Sequence, residues 1–107
     1  MEKLIVTFKL RDGVTVEQYS KWSYEVDQRT ALQQDACTRF ELYAIEDTVP
    51  AVDGGQPSPE IMESIEITDA DAWQAALKTD AMKRVLAEFG ELVDESTVKE
   101  IRGSRVV

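Results

Sequence analysis

YSKWSYEVDQRTALQQDACTRFELYAI, residues 19–45, reads as a helix, a short polar turn and a buried strand. Tyr19, Trp22 and Val26 follow one another at spacings of three and four, which gives the helix one apolar face. Asp27 stands on the shoulder of that face. An acid there is either a solvated edge residue, paired with Lys21 or Arg29, or a carboxylate aimed into a pocket. Phe40, Leu42 and Ala44 then alternate with Arg39, Glu41, Tyr43 and Ile45, the period-two pattern of a strand over 39–45. Such a helix must lie on a sheet, and the rest of the chain has to supply it.

Toward the N-terminus, Leu4, Val6, Phe8 and Leu10 alternate with Ile5, Thr7 and Lys9, which predicts a first strand over 2–10. Arg11-Asp12-Gly13 is a turn. Thr15 followed by Gln18 has the capping-box spacing, so the helix is expected over 16–33, with 34–38 as the connection to the second strand. Toward the C-terminus, residues 46–59 hold all three prolines and the pair Gly54-Gly55. A loop that long is either the rim of a site or a hairpin connection. IMESIEIT predicts a third strand over 61–68. Thr68 or Asp69 caps a short helix with Trp73, Ala76 and Leu77. Thr79 caps another, with Met82, Val85, Leu86, Phe89 and Val93 on one stripe. A fourth strand is expected over 97–101, with 102–107 as a tail.

The order β-α-β-β-α-β predicts an α+β, ferredoxin-like unit: an antiparallel sheet, strands one and three central, helices on one face. All 107 residues form one expected domain. The second face of the sheet has no cover within the chain. Ile5, Tyr43 and Ile45 are expected there, so a homodimer with its two sheets face to face is expected.

A net charge of -9, from 21 acids and 12 bases, argues against nucleic acid and anionic membrane as partners. No apolar run is long enough to span a bilayer. Cys37 is the single cysteine, which excludes an intrachain disulfide; with no signal peptide recognisable, a cytoplasmic location is expected. Histidine is absent, which excludes Ser-His-Asp and Cys-His catalysis and the usual zinc sites. No metal and no cofactor are expected. Asp69 and Asp71 read as helix-start residues rather than magnesium ligands. Proton chemistry falls to carboxylates, tyrosines or lysines.

Glu63 is the anomaly. Ile61, Ile65 and Ile67 define the inward face of the third strand, and Glu63 falls on it. An unpaired buried carboxylate costs several kcal/mol, roughly, so Glu63 must be partnered, protonated or in a wet cavity. It either belongs to a site or pairs with a base such as Arg39 at a dimer interface. Tyr19, Trp22, Phe40 and Phe89 suit the core as well as a ligand platform. Cys37 reads as a small buried residue.

Three segments resemble the RedY-like, HapK family of prodiginine pigment biosynthesis. GVTVEQYSKWSYEVDQRTALQ is similar to the family's tyrosine, aromatic and aspartate run in the first helix. RFELYAI is similar to its second strand. IMESIEITDADAW with DAMKRVLAEF is similar to its glutamate-bearing strand, cap and second helix. Ile61 departs from the pattern, since an aromatic residue is expected there, and the 54–59 loop differs freely. The resemblance implies a dimeric α/β-barrel and natural-product tailoring of a pyrrole- or indole-derived intermediate. On that basis a cofactor-independent cyclisation, dehydration or condensation is expected. Asp27 and Glu63 would move the proton, and Tyr19, Trp22, Ser23 and Phe40 would hold the small aromatic heterocyclic substrate. A protective binding protein and a cofactor-independent monooxygenase are the alternatives.

Overall fold

In the computed structural model, which describes residues 1–48 and 58–107, alternation along the first segment produces β1 (Glu2–Leu10). Leu4, Val6, Phe8 and Leu10 are buried. Gly13 completes the following turn at φ +85°, a conformation that costs a residue with a Cβ about 1 kcal/mol or more. Thr15 then caps α1 (Val16–Trp22). Its hydroxyl accepts the Gln18 N–H at 3.1 Å, and the Gln18 side chain accepts the Thr15 N–H at 2.9 Å. The capping box satisfies N–H groups that a first helical turn leaves without carbonyl partners.

α1 continues without a break into a π-helical turn (Ser23–Asp27) and then α2 (Gln28–Ala31). The Gln28 N–H donates to the Ser23 carbonyl, one residue further back than in an α-helix. The consequence is rotational. Residues four apart drift by about 40° per step around an α-helix. A π turn winds more slowly and takes up that drift. Tyr19, Ser23, Asp27 and Ala31, spaced by four, are therefore all buried. The expected stripe through Trp22 and Val26 is displaced, and both are only half-buried.

β2 (Cys37–Ala44), β3 (Ile61–Ile67) and β4 (Val93–Ser104) complete one antiparallel sheet in the order β2-β3-β1-β4. The α+β, ferredoxin-like arrangement and the central positions of β1 and β3 are as the sequence predicts. α3 (Ala70–Leu77) is capped by Asp69, whose carboxylate accepts the Ala72 N–H at 2.9 Å. α4 (Asp80–Leu92) is capped by Thr79, whose hydroxyl accepts the Met82 N–H at 3.3 Å.

Element boundaries differ in places. β2 starts earlier, at Cys37, through a register irregularity before Arg39, and it stops short of Ile45. β4 begins at Val93 directly from α4, and extends through residues expected in the tail. Val93 is thus a strand residue paired with Leu10 rather than part of the helical stripe. Most of the proline- and glycine-rich loop, residues 49–57 with Gly54 and Gly55, lies outside the described residues.

The helices cover one face of the sheet, where Tyr19, Ala31, Trp73 and Met82 join Leu4, Phe8, Ile65 and Ile67 in a single core. The other face is open. Tyr43 and Ile101 are 44% and 69% exposed on it, and Ile101 pairs across the ladder with Ile5.

Candidate active site

β3 presents Glu63 to the covered face, between Val6 on β1 and Leu42 on β2, and leaves it 5% exposed. Its partners come from the helix above. The Tyr19 hydroxyl donates to Glu63 Oε2 at 3.3 Å. The Asp27 carboxyl, turned inward by the π turn and 7% exposed, shares a hydrogen bond with Glu63. Among the described residues no cation pairs with Asp27 or Glu63. Arg39 alternates with the inward Phe40, sits on the open face and bonds Glu41 at 3.2 Å. Lys21 and Arg29 are exposed.

Two buried carboxyls without a counter-cation can only be neutralised by protons. Burial raises Asp27 to about 7, against the downward pull of its hydrogen bond with Glu63. Glu63 is pushed well above the carboxylate range, first by burial and then by the charge of Asp27; the Tyr19 hydroxyl opposes this and the Glu100 charge adds to it. The pair titrates as one unit and holds a proton near neutral pH, Glu63 donating to Asp27. Burial and the two neighbouring acids push the Tyr19 phenol up, so it remains a hydrogen-bond donor.

The pair borders a cavity of about 210 Å³ between the sheet and the helices. Leu4, Val6 and Ile65 line it from the strands; Trp73, Met82 and Phe89 line it from α3 and α4. Asp27, Glu63 and Glu100 are its ionisable groups. Of the residues expected to hold a ring system, Phe40 lines the cavity. Tyr19 stands behind Glu63, edge-on to Phe8 with ring centroids 5.4 Å apart. Trp22 packs on Tyr19 at 5.5 Å and donates its Nε1–H to Glu88 at 3.4 Å. Ser23 is fully buried and accepts the Gln28 side-chain amide at 3.0 Å. Neither Trp22 nor Ser23 borders the cavity.

Trp73, Met82 and Glu100 are among the lining residues that the pattern did not single out for a site. The first two carry an ordinary core signal, with nothing to separate cavity wall from packed interior. Glu100 carries a weaker one, an acid on the inward side of the last strand. Cys37 is buried, which raises its thiol and leaves it unreactive at neutral pH. Among the described residues, no group of three or more Cys, Asp or Glu is gathered to hold a metal ion, and no helix is long and apolar enough to cross a membrane.

The family model described as REDY-like protein HapK matches residues 2–106. The chain belongs to the REDY-like HapK family. HapK from Hahella chejuensis has a similar crystal structure: TM-score 0.79 and 23% identity, covering 99% of this chain and 93% of that one. SnoaB, a cofactor-independent oxygenase from Streptomyces nogalater, is similar at TM-score 0.74 and 12% identity, covering 99% and 93%. A dimeric protein of unknown function with a ferredoxin-like fold from Bacteroides fragilis is similar at TM-score 0.64 and 18% identity, covering 97% and 95%. No curated protein matches the chain. At these identities the solved structures establish the fold of this HapK-family member, and its chemistry has to be argued from Asp27, Glu63 and their surroundings.

Proposed function

We propose that this HapK-family protein is a cofactor-independent acid–base enzyme of natural-product biosynthesis, acting on a pyrrole- or indole-derived intermediate by cyclisation, dehydration or condensation. The observation that carries the reading is the Asp27–Glu63 pair, two buried carboxyls at the edge of a largely apolar cavity, whose burial raises the proton affinity of both. Two carboxyls whose proton affinities are driven apart supply an acid and a base at the same pH. In a dehydration, Glu63 gives its proton to the departing hydroxyl as the C–O bond breaks and water leaves. Asp27 takes a proton from the adjacent C–H or N–H, whose electron pair forms the new double bond. The carboxyls then exchange one proton across their hydrogen bond, which restores the starting state. Tyr19 holds Glu63 in place. Phe40, Trp73 and Phe89 offer faces and edges to a flat ring.

The enzyme works as a homodimer in this reading, its open sheet faces packed together as a dimeric α/β-barrel. The exposed Tyr43 and Ile101 and the dimeric Bacteroides fragilis protein of the same fold support this. A cytoplasmic location fits its single, unpaired cysteine.

Purified protein mixed with pyrrole- and indole-derived intermediates, with and without air, tests the reaction class by mass spectrometry. Conversion is expected without oxygen and without added cofactor, as ring closure at constant mass or loss of water. Asp27→Asn and Glu63→Gln, which nearly preserve shape, are expected to slow it by about 10²-fold or more each. Conversion that requires oxygen would favour the monooxygenase reading, for which the SnoaB fold likeness is the support. Variants that turn over like the parent would make the carboxyls structural. Tight binding of an intermediate without conversion would leave a protective binding protein.

A further inference from the structure

The cavity has a one-sided charge complement. Asp27 from the π turn, Glu63 from β3 and Glu100 from β4 all border it, and among the described residues no lysine or arginine does. Lys99 precedes Glu100 on the opposite face of β4, and the nearest base on the same face is Arg102, which lines a neighbouring depression together with Glu100 and pairs through Nε with Glu2 at 3.4 Å. Asp27 and Glu63 are buried, whereas Glu100 is exposed. The acids therefore run from the interior to the solvent side of one cavity.

We propose, resting on the acid–base reading above, that the cavity selects a flat nitrogen-bearing ligand in its cationic form, a protonated amine or imine, and rejects carboxylates. Glu100 is the specificity-determining residue at the entrance. A carboxylate entering would lose its water and meet the negative charge of Asp27 and Glu100 without a counter-charge, and both effects oppose binding. A cation gains charge-assisted hydrogen bonds to the same acids. Phe40, Trp73 and Phe89 add ring faces that attract a cation. Binding of a cation also favours the ionised form of Asp27, so near neutral pH it displaces a proton to solvent.

Three indoles sharing one ring system test this by titration calorimetry at about pH 8: tryptamine as the cation, 3-methylindole as the neutral compound and indole-3-acetate as the anion. Tryptamine is expected to bind about tenfold or more tighter than indole-3-acetate, with 3-methylindole between them. Near pH 7, heats measured in buffers of different ionisation enthalpy are expected to reveal proton release on tryptamine binding. Glu100→Gln changes an exposed side chain and is expected to lower the tryptamine preference over 3-methylindole by about threefold or more. Indole-3-acetate binding as tightly as tryptamine overturns the inference, as does failure of all three to bind. An unchanged preference in Glu100→Gln removes the role assigned to that residue.

These measurements need no turnover. Cation selectivity without conversion would fail the catalytic reading and keep the ligand class. Conversion by Asp27 and Glu63 without selectivity would do the reverse.

Discussion

The two faces of the sheet break the same alternation in opposite ways. On the covered face a polar residue stands where an apolar one is due: Glu63, in line with Ile61, Ile65 and Ile67. On the open face apolar residues stand where polar ones are due: Ile5 and Ile101 paired across the ladder, and Tyr43 beside Met62. The open face also bears the larger depression, about 660 Å³, around Lys3, Ile5, Glu66 and Ile101. Size alone would make it the site. It contains no buried ionisable group, however, and its apolar residues are what a second sheet would cover. The covered face holds carboxyls that burial forces to share protons, and chemistry needs that. An anomalous acid inside and an anomalous apolar patch outside are different signals, one of reaction and one of assembly.

Acidification should set the faces furthest apart. The native Asp27 value of about 7 lies above the ordinary 3.8, so the folded state binds its proton more tightly than the unfolded state does. The resulting stabilisation is fully present below 3.8 and lost as the pH rises through about 7. A difference of that size corresponds to something on the order of 4 kcal/mol, and the raised Glu63 extends the loss to higher pH. Thermal melts of the parent are expected to show greater stability at about pH 5 than at about pH 8 from these groups. Asp27→Asn should flatten that dependence and raise the melting temperature at the higher pH. Glu41→Gln on the open side of β2 should leave the profile as it is. Equal profiles for parent and Asp27→Asn would mean that the inner acids are not energetically distinct from the surface ones.

Charge placed on the open face sharpens the other half of the contrast. Tyr43→Glu puts a carboxylate where a partner sheet would exclude water. Sedimentation is expected to show a dimer for the parent and a dissociation constant about tenfold or more weaker for the variant, with the monomer fold unchanged by circular dichroism. A parent that sediments as a monomer at micromolar concentration would remove the barrel arrangement.

Tyr19→Phe has the smallest expected effect. It deletes the hydroxyl that donates to Glu63 and keeps the ring packed on Phe8. The cost to stability is expected to be about 1 kcal/mol. That hydroxyl favours the ionised form of Glu63, so its loss should move the alkaline limb of the activity profile to higher pH. An unmoved limb would reduce Tyr19 to a packing residue.

Glu63 was legible in the sequence because the period of a strand is two and tolerates little distortion: a residue in line with three isoleucines must share their face. The capping residues Thr15, Asp69 and Thr79 were legible for a similarly local reason, since a cap reaches only three residues along its own chain. Asp27 was half legible. A uniform helix puts it on the shoulder of the apolar face, and only the π turn carries it inside. Tyr19, Ser23 and Ala31 are buried along with it, Tyr19 and Ala31 in a core shared with strands from distant segments. The same rotation leaves Trp22 half-buried and Ser23 buried, and neither borders the cavity. Glu100 was hidden because its face depends on the register of β4 against β1, and that register is irregular between Thr7 and Lys9.

Local pattern by itself determined the order of strands and helices, the caps, the ferredoxin-like topology and the presence of one acid where none is expected, because each depends on steric and hydrogen-bonding preferences within a few residues. The sequence already offered Asp27 as a partner for that acid; tertiary structure decided that the two meet, that among the described residues no base reaches either of them, and that both border a cavity. The proton affinity of a carboxyl depends on the water and charge within a few ångströms, and those neighbours come from segments far apart in the chain.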